Sequence, residues 1–295
     1  MGPLGIRGAH AFEGEFLDLA PFVDDETLAQ YDPEQVAVWA DGDHLQALPF
    51  GVFPSMIFFN KDIFDRADLP YPPAEFGGTY QGEPWDIDAL TELAIQLTVD
   101  ADGNNANSPD FDDERILQWG FAHQWIDDPR SNGAFFGAGS LLAEDGSAQI
   151  PHNWREQWQW LHDGIFNDHF MPDADQRSTE LLQLGNPFAS GRLAMAFTHL
   201  WYAGSATTPE GDPLDFWDLA ATPTYNGEIT SKLHADTFRI MGDSESPDEA
   251  FEALSYLLDE GAADLLQIYG SFPACLLYTS PSPRDATLSR MPSSA

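Results

Sequence analysis

The chain has 295 residues, 43% of them hydrophobic, enough to bury the cores of two α/β domains. Its 49 carboxylates against 12 Lys and Arg leave a formal charge of -37, which excludes nucleic acid as a partner because phosphate-backbone binding needs clustered cations. No apolar run approaches the ~18 residues of a membrane-spanning helix. An acidic surface of this kind reads as a solubility device, and as halophily in a salty medium, where screening relieves self-repulsion.

Met1 to His10 has no apolar run of the kind that a secretory signal needs. Phe12 to Val38 reads as loop and short helix leading to Trp39. The Asp41-Gly42 turn signal between two extended pieces predicts a hairpin over Trp39 to Leu48. Met56 to Phe59 is a continuous apolar run, predicting a strand buried on both faces. Pro49 and Pro54 cannot donate to a ladder, so Pro49 to Pro54 is expected as an irregular extended feeder outside the strand interior. Ile63 to Leu69 predicts a helical turn, Pro70 to Pro84 a loop, and Ile87, Leu90, Ala94 and Leu97 the apolar face of a helix opened by Trp85, which is expected in the core and not at a ligand.

Asp100-Ala101-Asp102-Gly103-Asn104 alternates oxygen ligands in the manner of a calcium loop but lacks the later bidentate Glu, so a plain Asp-Gly turn is the better reading. Ile116 to His123 is expected as a strand whose end delivers His123, Gln124 and Trp125, and strand ends in open α/β sheets are where ligands bind. Ala134 to Leu142 is Gly-rich. Trp154, Trp158, Leu161 and Ile165 share one helical face, the helical spacing favouring core over a binding platform.

Leu181 to Phe188 is expected as a further helix, Gly191 as a C-cap and Leu193 to Phe197 as a strand, with Thr198, His199 and Trp201 emerging at its end. Lys232 to Met241 reads as a return strand. Ser246-Pro247-Asp248-Glu249 predicts a helix start with Ser246 as N-cap, Pro247 at N1 and a capping box through Glu249. Ala250, Phe251, Leu254, Leu257 and Leu258 supply its apolar face.

Several of these stretches occur together in a known family. Pro49-Phe50-Gly51, the apolar run and Phe59-Asn60-Lys61-Asp62, the Trp85-Asp86 helix start, Phe188-Ala189-Ser190-Gly191-Arg192-Leu193-Ala194-Met195, and Gly270-Ser271-Phe272-Pro273-Ala274 together resemble the motifs of family 1 extracellular solute-binding proteins. These are the sugar-capturing receptors of ABC importers related to maltose-binding protein. The resemblance covers Phe12 to Ala274. It implies a two-lobed, type II periplasmic-binding-protein-like α/β fold with lobes joined by crossing strands, the N-lobe from 1–55 and 238–274 and the C-lobe from 56–237. It further implies capture of a sugar or related polyol in an interlobe cleft, hinge closure and delivery to a membrane permease, by a monomer without cofactor or metal.

The residues expected to line the ligand are Phe53 and Ser55, Gln124 and Trp125, His199 and Trp201, and Asp236 and Thr237. Trp201 occupies the position that packs against a sugar ring in the family, and an indole face does suit the axial C–H groups of a sugar. Core packing is the alternative role for Trp201. Relatives carry a secretion signal, often a lipid-anchoring cysteine, and a first strand and helix, so further chain is expected upstream, in a periplasmic or extracellular, lipid-anchored protein. From Cys275 to Ala295 the composition turns to Ser, Pro and Arg with one carboxylate, Asp285. Cys275 to Asp285 resembles an in-frame translation of a sequencing-library adapter, and a non-native tail over 275–295 is expected.

No P-loop, dinucleotide fingerprint, Gly-x-Ser-x-Gly elbow or His-Glu-x-x-His occurs. The alternative of a different class is a carbohydrate-active enzyme using a carboxylate pair, although so many acids place some pair at glycosidase spacing by chance.

Overall fold

The computed structural model of the chain describes residues 16–126, 133 and 135–275. Residues 1–15 and 276–295, with most of the tail reading, and Ala134 at the head of the Gly-rich stretch lie outside them. The chain divides into two compact units, residues 1–53 with 234–295 and residues 54–233. The division falls inside one strand, β3 (Leu48–Asn60), and at the start of another, β10 (Leu233–Phe238).

The second unit is built on β3. Residues Ser55 to Phe59 pair antiparallel with β8 (Leu193–His199), and β8 pairs parallel with β7 (Ile116–His123). β6 (Val99–Asp100) lies beyond β7, while β9 (Trp217–Ala220) also pairs with β3. The predicted burial of the apolar run on both faces is observed. Ile57 and Phe59 enter one core cluster with Trp85, Leu90, Phe121 and Phe197, and Phe58 enters another with Trp119, Phe188, Ala196 and Tyr202.

Strand β3 is longer than expected, because Pro49 and Pro54 lie within it. The pairings with β8, β9 and β11 (Phe272–Pro273) all miss both prolines, so none of these ladders calls for the N–H that proline lacks.

Helix α3 (Lys61–Ala67) follows β3, capped by the Asn60 side chain accepting from the Ile63 N–H. Helix α4 (Ile87–Leu97) starts at Asp86, whose carboxylate accepts from the Ala89 N–H, and buries the predicted face together with Leu93. Trp85 is 1% exposed and donates its indole N–H to the Ala221 carbonyl, as expected of a core residue. Gly120 of β7 lies where α4 ends: a Cβ there would overlap the Ala94 carbonyl, and its N–H donates to Thr98 Oγ1.

Helix α5 (His152–Phe166) sends Leu161 and Ile165 to the core with Trp160, which the predicted face omitted, and buries Trp154 beneath glycines. The expected helix over Leu181 to Phe188 is two 3-10 turns, Glu180–Gly185 and Phe188–Ser190. Gln183 and Leu184 take positive φ of 58° and 52°, and Pro187 disfavours the α conformation at Asn186. Gly191 closes the second turn at φ 67°, in the capping role expected of it.

The first unit packs Leu19, Val23, Leu45, Leu48 and Ile240 against Leu254 of α7 (Pro247–Leu258). It contains the predicted hairpin, β1 (Ala40–Asp41) with β2 (His44–Leu45), turning through Gly42 at φ 60°. The capping box on α7 is not formed. Ser246 makes no side-chain cap, and its N–H, which Glu249 would have to reach, points to Ser244 Oγ at 3.4 Å. Helix α8 (Ala262–Tyr269) ends at Gly270 in the left-handed region, and β11 then pairs with Gly51 and Val52 of β3.

Gly120→Ala should destabilise the second unit by ~3 kcal/mol, since the new methyl meets helix backbone and not a movable side chain. Thermal unfolding followed by circular dichroism measures it; an unchanged midpoint would contradict the close helix–strand approach.

Candidate functional site

Parallel pairing of β7 and β8, with His123 opposite Phe197, brings the C-terminal ends of both strands to one edge of the second unit. The antiparallel partner β3 adds Ser55 opposite His199. Five of the eight residues picked from the sequence therefore gather here: Ser55, Gln124, Trp125, His199 and Trp201.

They form two kinds of surface. Ser55, Gln124 and His199 are buried, with Ser55 Oγ 2.9 Å from His199 Nδ1 and Gln124 Oε1 accepting the Phe188 N–H at 3.1 Å. Trp125 takes φ 60° directly after the strand, and its indole is 43% exposed. Trp201 lies in a 3-10 turn, Leu200–Ser205, that continues β8. The two indoles stack at 5.3 Å between centroids and 20° between planes, so one face of Trp201 is covered by Trp125.

Tyr202 supports the pair from beneath, its ring edge-on to Trp125 at 5.0 Å and its hydroxyl donating to Asn186 Oδ1 at 2.9 Å. Burial pushes the Tyr202 phenol up to about 12, with Gln124 and Asn186 opposing in part, so it remains a neutral donor. Tyr202 and Asn186 were not among the residues singled out. The only trace of Tyr202 in the sequence is its place beside Trp201.

The other three residues lie in the first unit. Phe53 is buried with its ring 6.1 Å from the His234 imidazole, His234 Nε2 is 3.0 Å from Asp236 Oδ1, and Thr237 Oγ1 accepts from Arg239 Nε at 3.4 Å. The Arg239 guanidinium lies over the rings of Phe16 and Trp39. His234 was missed, although two-residue spacing in a strand puts it on the same face as Asp236.

His123 immediately precedes Gln124 and is enclosed by Phe121, Phe135, Trp160 and Phe197 at centroid distances of 5.2 to 6.2 Å. Neither ring nitrogen has a hydrogen-bond partner among the described residues. Burial, helped by the nearby Arg177 guanidinium, lowers its pKa to about 3 from an ordinary 6.5. Arg177 itself donates to the His123 carbonyl.

The Asp100 loop holds no calcium arrangement. The Asp100 carboxylate accepts from the backbone N–H groups of Asp102, Asn104 and Asp112 and from the Asn104 amide. Its burial would raise the pKa, but these donors outweigh that and hold it at about 2. Among the described residues no group of three or more His, Cys, Asp or Glu side chains could hold a metal ion, and no helix is long and apolar enough to cross a membrane.

The family model described as bacterial extracellular solute-binding protein matches residues 11–264. No curated protein matches the chain. Among solved structures, UspC of M. tuberculosis is 22% identical with a TM-score of 0.64, covering 93% of this chain and 67% of its own. The ABC substrate-binding protein Lmo0181 from Listeria monocytogenes, in complex with cycloalternan, is 20% identical at TM-score 0.67, covering 95% and 69%. The maltose/maltodextrin-binding domain MalE from Bdellovibrio bacteriovorus, bound to maltotriose, is 18% identical at 0.67, covering 98% and 70%. At these identities the likeness establishes the fold, and the chain spans about two thirds of the length of each of the three.

Because the folded His123 binds its proton only near pH 3 whereas the unfolded one binds it near 6.5, the unfolded state gains protons first as pH falls. The His123 contribution is full above pH 6.5 and is lost progressively toward pH 3, by up to about 1.4 kcal/mol per pH unit. His123→Phe should therefore show a shallower loss of stability than the parent in urea unfolding between pH 6.5 and 4; parallel curves would remove His123 from the acid response.

Proposed function

Because the chain belongs to the bacterial extracellular solute-binding protein family, we propose that it captures a sugar or related polyol and hands it to the permease of an ABC importer. Family membership makes it an extracellular binding protein and not an enzyme, which sets aside the carbohydrate-active alternative. Neighbouring structures bound to maltotriose and cycloalternan support the sugar class. The observation that carries the reading is the stacked pair Trp125–Trp201 beside the buried Ser55–His199 pair.

An indole face offers C–H stacking, while a polar pair beside it can bond hydroxyls. Trp125, the more exposed indole, is the platform, and Trp201 backs it. The sequence singles out Trp201 as the stacking platform and Trp125 only as a ligand-lining residue. Gln124 shapes the turn through its bond to Phe188, and the buried Ser55–His199 pair is the polar backing behind the indoles. In the first unit, taken by itself, Phe53, Asp236 and Thr237 are the proposed ligand residues, with His234 orienting Asp236. The protein acts as a monomer, periplasmic or lipid-anchored outside the membrane, and needs no cofactor.

Trp125→Ala should weaken binding of a maltodextrin such as maltotriose by ten- to a hundredfold, about 1.4–2.7 kcal/mol, and Trp201→Ala by a similar amount through loss of the backing ring. Calorimetric titration of a panel of neutral oligosaccharides measures this. Sugar binding as tight in both variants as in the parent would refute the indole platform, and failure of every sugar in the panel to bind the parent would count against the sugar class.

A further inference from the structure

We infer that the second unit carries an anion-binding site, for a ligand bearing a phosphate group, at the pole of its sheet opposite the indole pair. A cavity of about 340 Å³ opens there, lined by Arg66, Leu117, Gln118, Ser190, Gly191 and Arg192. Leu117 and Gln118 stand near the start of β7, and Arg192 immediately precedes β8. The strands that present His123 and His199 at one end thus present this cavity at the other.

The two guanidiniums are anchored on consecutive residues of β7. Arg66 donates to Gln118 Oε1 at 3.4 Å and Arg192 to the Leu117 carbonyl at 3.3 Å. Gln118 is oriented in turn, since its Nε2 donates to the Leu97 carbonyl at 2.7 Å and so turns Oε1 toward Arg66. These bonds occupy one donor nitrogen on each arginine, and a guanidinium has five N–H groups in a planar fork.

The charge context makes the pairing informative. The chain has 49 carboxylates and 12 Lys and Arg, yet neither arginine pairs with a carboxylate among the described residues, and no acidic residue lines the cavity. By contrast, Arg115 binds both Asp102 and Asp112. Two guanidiniums held without a counter-charge suit an external anion. A phosphate group is tetrahedral and presents at least two free oxygens in different directions, so it can engage two forks, whereas the two oxygens of a planar carboxylate are satisfied by one. The same group could be free phosphate or a phospholipid headgroup. The site is independent of how the indole pair is read.

The test uses the full chain in about 0.15 M sodium chloride, where screening shortens the reach of the overall negative charge to about 8 Å. Inorganic phosphate is titrated calorimetrically, and sedimentation with phosphatidylglycerol vesicles is compared with phosphatidylcholine vesicles. The expected result is saturable binding weakened about tenfold by Arg66→Gln or Arg192→Gln, abolished by both, and unchanged by Arg155→Gln, an exposed arginine away from the cavity. Dependence on both arginines seen only with phosphatidylglycerol assigns the headgroup; seen with phosphate in solution, it assigns the free anion. Both arginines are exposed, so Arg66→Gln and Arg192→Gln each carry the test on a folded chain. Absence of binding to either probe, or binding that survives in the double variant, overturns the site.

Discussion

The second unit depends on one strand being buried on both faces. Alternation along β3 sends Ile57 and Phe59 into one core and Phe58 into the other, so the helices and turns on either side are fastened to the same backbone. Pairing with β8 and β9 satisfies its polar groups in that apolar setting. With β3 in place, β8 and then β7 are positioned by register alone, and their ends become fixed points at which side chains can be presented.

Those fixed ends explain why the candidate site has a hard and a soft part. Ser55 and His199 face each other across a ladder, and their geometry follows from the register. Trp125 and Trp201 leave the sheet on a left-handed residue and a 3-10 turn, and they hold each other in place with Tyr202 beneath them. A rigid polar edge beside a partly exposed aromatic platform is a common division of labour for a ligand with both hydroxyls and apolar faces.

A second economy runs through the cations. In a chain with so few, Arg115 closes a loop over two aspartates, Arg177 braces the carbonyl of His123, and Arg239 lies over two aromatic rings. Each of these arginines is used where a carboxylate or a simple amide could not replace it, because the guanidinium fork combines charge, planarity and several donors.

Much of the local structure was determined by the sequence itself. The apolar run of β3, the Asp-Gly hairpin, the buried Trp85, the capping at Gly191 and the turn at Asp100 each follow from the chemistry of a few neighbouring residues, and a resemblance in motif order identified the family. Other features were decided only by tertiary structure. Pro49 and Pro54 lie within a strand whose ladders with β8, β9 and β11 miss them, and Leu181 to Phe188 breaks into turns where backbone conformation overrides an apolar pattern. Ser246 makes no side-chain cap, and its N–H turns to Ser244 Oγ where a capping box would have Glu249. The stacking of Trp125 on Trp201, and the apolar enclosure of His123, join residues up to 76 positions apart in the chain. Local propensity acts over a turn or two, whereas which ring covers which depends on strand register, and that is set by pairing across the whole unit.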